Sequence, residues 1–155
     1  MVSLVKYLLD THAWLWGVLG DAKLGPRARR VVASAGERTK IGLAAISLKE
    51  AAWLMARGRI VIRAPAAPWS DWLREAASAP GLEVLPLTVE VAIASEHLPT
   101  SFPKDPADRL IVATCASSLS RLHGESGTWH DCRLKMRETP EVGRGGGLAV
   151  AVAAR

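Results

Sequence analysis

Short apolar segments alternate along the chain with segments in which apolar residues recur every three or four positions. The apolar segments cover residues 2–9, 40–46 and 82–87, and each has the length and composition of a buried strand. The amphipathic segments predict helices at residues 13–19, from Gly25-Pro26 onward, at 47–57, at 69–77, from Thr88 onward and at 105–122. Strands that alternate with helices predict an α/β fold with a parallel sheet.

The end of the chain differs from the rest. Gly143 begins a glycine-rich segment, and the residues that follow it have no clear periodicity. The chain has 155 residues, of which 49% are hydrophobic, enough for one domain with a real core. We therefore predict one domain over residues 1–142 and a glycine-rich C-terminal tail over residues 143–155.

The charge balance is basic, because 20 Lys and Arg against 15 Asp and Glu give a formal net charge of +5. This excess favours a polyanionic partner such as nucleic acid, although it also fits plain solubility. No apolar run is long enough to span a bilayer, and the first one is too short for a signal peptide. We therefore expect a cytoplasmic protein with no membrane partner. Cys115 and Cys132 indicate neither a metal site nor a disulfide framework, and Cys115 is predicted to be a core residue.

Acidic residues recur where a predicted strand ends or a predicted helix begins. Asp10 closes the first strand, Glu50 lies near the start of a helix, and Asp108 lies at the mouth of the longest helix. The carboxyl ends of parallel strands and the helix starts that follow them share one edge of the sheet, where ligands bind. Carboxylates gathered at such an edge suit a hard cation such as Mg²⁺, whereas the four histidines are too dispersed for zinc.

Helix capping explains each acidic residue separately. Ser47 and Glu50 have the spacing of a capping box, and Asp131 has the same spacing from a preceding threonine. Asp105 precedes a proline, as an N-cap residue often does, and Asp10 could cap the helix after the first strand. Caps have no need to share one edge, so the joint placement favours a metal site.

Three segments resemble, in order and spacing, the acidic motifs of the PIN-domain ribonucleases, and within them the VapC-type toxins of toxin–antitoxin pairs. The resemblance covers most of the chain, from residue 4 to about residue 116. The segments that carry it are Leu8-Leu9-Asp10-Thr11-His12-Ala13-Trp14, Ile46-Ser47-Leu48-Lys49-Glu50-Ala51-Ala52-Trp53 with Arg57-Gly58-Arg59, and Asp105-Pro106-Ala107-Asp108-Arg109-Leu110.

The resemblance implies a three-layer fold, with a central parallel sheet flanked by helices, and metal-dependent hydrolysis of RNA phosphodiester bonds. It implies that one or two Mg²⁺ or Mn²⁺ ions bind an acidic pocket formed by Asp10, Glu50, Asp108 and Asp131. Thr11, Ser47 and Asp105 would support these carboxylates by hydrogen bonding or capping. The partners it implies are RNA, a cognate VapB-like antitoxin protein and a second copy of the chain.

The fourth acidic motif departs from the family pattern. The family places two apolar residues, a threonine and any residue before this acid, but here Gly127-Thr128-Trp129-His130 precede Asp131. The glycine run replaces the family's closing strand. We therefore expect the last strand to be weak or missing.

Arginine and tryptophan side chains are the candidates for contacts outside the acidic site. Arg57, Arg59 and Arg109 could contact phosphates, although each could also lie on a solvated helix face. Trp14 and Trp16, beside Asp10, could form part of a dimer or antitoxin surface, because interfaces are rich in aromatic residues.

Two other functions fit parts of the pattern. A receiver-like phosphorylation module also places acids at strand ends, but it needs an acidic neighbour beside the first one, and Asp10 has none. A non-catalytic PIN-like domain that binds RNA or protein remains the alternative, because the fourth motif is atypical. Metal-dependent turnover distinguishes the nuclease from this alternative.

Overall fold

The computed structural model describes residues 4–36, 39–62, 68–102 and 104–123. Asp131 and the predicted tail over residues 143–155 lie outside these ranges. The described strands and helices are β1 Leu4–Leu9, α1 Thr11–Leu19, α2 Pro26–Ala33, β2 Thr39–Ala44, α3 Ala45–Ala56, α4 Trp69–Ala77, β3 Leu82–Leu85, α5 Val89–Glu96 and α6 Pro106–His123. None of these helices is both long enough and apolar enough to cross a membrane.

The strands form one parallel sheet in the order β1-β2-β3, as the alternating pattern predicted. Leu9 pairs with Leu43, and Ala44 pairs with Leu85, so the three strands end at nearly the same level. The chain passes from β1 directly to Asp10 and from β2 directly into α3. The sheet therefore has one edge at which the residues after β1 and β2 meet.

Helices cover both faces of this sheet. Leu9 and Leu43 point to one face, where they join a core that contains Trp14 from α1 and Met55 from α3. Leu8 points to the opposite face and packs in a second core with residues of β3 and α6. Adjacent strand residues alternate between faces, so β1 contributes to both cores. The arrangement is the predicted three-layer α/β fold.

The step from β2 into α3 differs from the prediction. The helix begins at Ala45 rather than Ser47, and Ala44 is its N-cap residue with an extended backbone. The apolar pattern does not indicate that the helix begins here, because Ala45 and Ile46 suit a buried strand and a helix equally well. Ser47 consequently lies inside the first turn of α3, and its predicted role as an N-cap is wrong.

One prediction about a side chain is also corrected, and another is confirmed. Trp14 is only 2% exposed and belongs to the core, so it cannot form a dimer or antitoxin surface; its position on the helix faces the sheet. Cys115 is 1% exposed and lies in the core, as predicted.

Arg109 is half-buried and makes hydrogen bonds within the protein rather than lying on a solvated helix face. Its Nε donates to the carbonyl of Ser95 at 3.1 Å, and one terminal nitrogen donates to the carbonyl of Leu98 at 3.0 Å. These carbonyls lie at and just beyond the end of α5, where helix carbonyls lack partners within the helix. Arg109 therefore holds α6 against α5.

We expect Arg109→Ala to lower the free energy of unfolding by about 2 kcal/mol, because hydrogen bonds that involve a charged group are stronger than neutral ones. Urea unfolding followed by circular dichroism measures this change. Arg74→Ala is the matched control, because Arg74 pairs with Asp71 at an exposed site and should contribute under about 1 kcal/mol. Equal losses in the two variants would contradict the role given to Arg109.

Candidate active site

Asp10 lies at the centre of the candidate site, immediately after β1. It is 3% exposed, and it is the N-cap residue of α1, where its Oδ1 accepts a hydrogen bond from the Ala13 backbone N–H at 2.7 Å. Its second oxygen, Oδ2, is buried without a hydrogen-bond partner. Capping and site chemistry are therefore compatible, since one oxygen caps the helix and the other remains available.

Burial raises the pKa of Asp10 from 3.8 to about 6, because the charged carboxylate loses its hydration. The hydrogen bond from Ala13 and the nearby imidazole of His12 act in the opposite direction, while the negative charge of Glu50 raises the pKa further. At neutral pH the carboxylate is thus mostly ionised, at an energetic cost that a nearby cation would reduce.

Glu50 lies on α3, and its carboxylate accepts a hydrogen bond from a residue of α1. The hydroxyl of Thr11, on α1, donates a 2.5 Å hydrogen bond to Glu50 Oε2. The capping box predicted for Ser47 and Glu50 does not form, because Ser47 is not the N-cap of this helix. The buried Ser47 hydroxyl has no hydrogen-bond partner in the described structure. Thr11 therefore has the supporting contact that was predicted, whereas Ser47 makes no contact with a carboxylate.

Asp108 occupies the first turn of α6. Partial burial raises its pKa to about 6, and the charges of Asp105, Glu50 and Asp10 raise it in the same direction. Asp105 is exposed and has the predicted capping role, because its Oδ1 accepts from the backbone N–H groups of Ala107 at 2.9 Å and Asp108 at 3.2 Å. The electrostatic coupling shows that the start of α6 lies beside the edge formed by β1 and β2.

The carboxylates of Asp10, Glu50 and Asp108 thus approach one another, but they do not form a ready-made chelate. Within residues 4–36, 39–62, 68–102 and 104–123, no three His, Cys, Asp or Glu side chains form a group that could hold a metal ion as they stand. A magnesium ion needs only one or two carboxylates, since it retains several waters. The oxygen donors and the unpartnered Asp10 Oδ2 fit such an ion.

His12 was not predicted as part of the site. It lies two residues after Asp10, is exposed, and packs its ring 5.8 Å from the ring of Trp16. Its charge lowers the pKa of Asp10, which shows that the imidazole lies close to the carboxylate. The sequence contained the signal, because a histidine in the first turn of a helix lies near the N-cap residue.

A surface concavity occurs elsewhere on the molecule. It has a volume of about 700 Å³ and lies between the segment after α1 and the first turns of α2, where Lys23, Arg29 and Arg30 line it. It contains none of the candidate acidic residues. The candidate site is thus defined by the sheet edge and the charges gathered there, and not by the size of a cavity.

Comparisons with known proteins identify the family of this chain. The family model described as "PIN domain" matches residues 7–122, which include Asp10, Glu50 and Asp108. The curated protein Ribonuclease VapC22 of Mycobacterium tuberculosis is 35% identical over 133 residues, which is 86% of this chain and 92% of that protein. No solved structure matches the chain. The chain belongs to the PIN-domain family, and within it to the VapC group.

Proposed function

We propose that this protein is a divalent-metal-dependent endoribonuclease that acts as the toxin of a type II toxin–antitoxin pair. The observation that carries the proposal is the buried, unpartnered Oδ2 of Asp10, at a sheet edge where the negative charge of Glu50 raises the pKa of both Asp10 and Asp108. The similarity to a protein named a ribonuclease supports RNA as the substrate. The VapC name supports a VapB-like antitoxin as the protein partner.

Asp10 and Asp108 would hold the cation directly, and Glu50 would act as a further ligand or would orient the attacking water. Asp131 is the fourth candidate ligand, as the family resemblance implied. A bound Mg²⁺ or Mn²⁺ would supply Lewis acidity and charge neutralisation at the phosphate. The metal, the complete ligand set, a homodimer and a cytoplasmic location belong to this proposal.

The chain's own residues prepare the site for an anionic substrate. Asp10 keeps its free oxygen in place because its other oxygen is fixed by the Ala13 N–H. Thr11 limits the rotation of Glu50 by its hydrogen bond to Oε2. The N-termini of α1 and α6 lie beside the acidic residues, and the positive end of each helix dipole offsets part of their negative charge. Without a cation, these carboxylates would still repel an RNA backbone.

Cleavage of RNA by purified, antitoxin-free protein tests the proposal. We expect products with Mn²⁺ or Mg²⁺, none with EDTA, and recovery when excess metal is added back, because the carboxylates need a cation to accept a phosphate. Gel electrophoresis of a structured RNA with a labelled end measures the products. A folded protein that binds RNA but leaves several RNAs intact would instead identify a non-catalytic PIN-like binding domain.

A further inference from the structure

An aromatic and basic cluster lies at the C-terminal end of α3, outside the acidic site. Trp53 is 40% exposed, an unusual position for so large an apolar side chain. The guanidinium carbon of Arg57 lies 4.9 Å from the centre of the Trp53 ring, and that of Arg59 lies 5.9 Å from it. Both distances fall within the range of cation–π interactions. We call these three residues the Trp53 cluster.

The positive charge of the Trp53 cluster is not neutralised in the described structure. The ion pairs among the described residues are Lys40 with Glu83 and Arg74 with Asp71, so neither Arg57 nor Arg59 has a carboxylate partner there. Two guanidinium groups beside one ring repel each other, and the ring face only partly compensates for this. The cluster is therefore suited to an anion that also has a flat apolar surface.

The Trp53 cluster continues the ridge of α3 that begins at Glu50. Residues three and four apart are neighbours on a helix, so Glu50, Trp53 and Arg57 follow one another along the same face. Three residues correspond to about 4.5 Å of helix rise, which places Trp53 one turn from the candidate site. A chain molecule held at Glu50 would thus pass over Trp53 and then Arg57.

We propose that the Trp53 cluster binds the strand of RNA beside the cleavage site, with a base stacked on Trp53 and phosphates bound by Arg57 and Arg59. This inference rests on the proposed ribonuclease function. Unpaired bases stack on aromatic side chains, and arginine binds phosphate through paired donors. The guanidinium groups would turn from the ring to the phosphates as the base stacks. A typical residue of a protein partner would supply either a negative charge or a flat ring, whereas every nucleotide supplies both a phosphate and a base.

Binding of single-stranded RNA, measured separately from cleavage, tests the inference. The probe is a fluorescein-labelled oligouridine of about 12 nucleotides, within the site sizes of single-strand binders. The protein carries Asp10→Asn, so that the probe stays intact. Adding Trp53→Ala should weaken binding by about tenfold, because base–aromatic stacking contributes on this scale. Trp69→Ala is the matched control, since Trp69 is 39% exposed and lies on a different helix, α4.

Two further variants separate stacking from charge. Trp53→Phe keeps a ring for stacking and should retain most of the affinity for the probe. This result would attribute the weaker binding of Trp53→Ala to the missing ring rather than to a damaged structure. Arg57→Ala should reduce the slope of log affinity against log salt by about one, the value for one lost phosphate contact. Arg27→Ala is the control for the removal of an exposed arginine, because Arg27 lies on α2 and not beside Trp53.

The outcomes distinguish this inference from the proposed function. Cleavage by wild-type protein together with equal probe affinity in Trp53→Ala and Trp69→Ala would overturn the inference and leave the ribonuclease intact. That result would assign the cluster to a protein partner instead. Weaker binding in Trp53→Ala alone, with a smaller salt slope in Arg57→Ala and cleavage by the wild-type protein, would support the inference. The same binding results without cleavage would overturn the ribonuclease and the position beside a cleavage site, and leave an RNA-binding surface.

Discussion

Replacing Asp10 by asparagine should lower RNA cleavage by more than about a hundredfold while the protein remains folded. Loss of groups that merely support metal ligands costs about 10–100-fold, so loss of a direct ligand should cost more. Asparagine is an N-cap residue as good as aspartate, and its Oδ1 can accept the same hydrogen bond from Ala13. Initial rates of cleavage in saturating Mn²⁺, with circular dichroism of the same samples, measure the effect.

The same variant should make the metal-free protein more stable at pH 7. Because folding raises the pKa of Asp10 from 3.8 to about 6, the folded state binds its proton more tightly than the unfolded state. The contribution of Asp10 to stability is therefore fully present below about pH 4 and is lost as the pH rises through about 6. Asparagine does not titrate, so Asp10→Asn should gain on the order of 2 kcal/mol at pH 7 and show a flatter pH profile.

Asp21→Asn is the control for both measurements. Asp21 accepts a hydrogen bond from the Lys23 backbone N–H in the turn after α1, which asparagine can also accept. This variant should cleave RNA at the wild-type rate and unfold at the wild-type urea concentration. Full cleavage activity in Asp10→Asn would remove Asp10 from the proposed site, and an unfolded Asp10→Asn would mean that capping needs the charge.

The sheet edge was predictable from the sequence because its determinants are local. Each strand appears as a short apolar run, and Asp10 and Asp108 lie at helix starts that turn chemistry identifies. Parallel strands then bring these starts together without further information. The PIN family model matches residues 7–122, the part of the chain that contains the end of the first strand, the other two strands and these helix starts.

The contacts that complete the edge were not predictable, because they join residues far apart in the chain. Thr11 and Glu50 are 39 positions apart, and a local pattern assigned Glu50 to a capping box instead. Arg109 binds carbonyls 11 and 14 positions away, which no helical periodicity encodes. Trp14 illustrates a third case, since aromatic residues suit both an interface and a core. Asp131 as a fourth ligand stays a prediction.

One side chain combines local structure and proposed chemistry. Asp10 stabilises the start of α1 in the way that an N-cap carboxylate does in any helix, by accepting a hydrogen bond from an otherwise unpaired backbone N–H group. Its complete burial beside Glu50 and Asp108 exceeds what a cap requires, since a surface cap works equally well. The excess cost, visible in the raised pKa, is the physical argument for a ligand at this edge.

A divalent cation should therefore stabilise the fold, and this is the second large effect that we expect. At a Mg²⁺ or Mn²⁺ concentration about 100 times the dissociation constant, binding to the folded state contributes about 2.7 kcal/mol. For a protein of this size, that raises the melting temperature by about 5–10 °C. Differential scanning fluorimetry without RNA measures the shift independently of cleavage.

The pH dependence of this shift identifies the ligands. At pH 5 the Asp10 and Asp108 carboxyls, with pKa values of about 6, are mostly protonated and must lose protons before a cation binds. The shift at pH 5 should thus be smaller than at pH 7.5, and Asp10→Asn should lose most of it at both values. Asp21→Asn should keep the wild-type shift, because it leaves the sheet edge unchanged. An equal shift in wild-type protein and Asp10→Asn at pH 7.5 would place the cation elsewhere, because the unpartnered Oδ2 would then have contributed nothing to its binding.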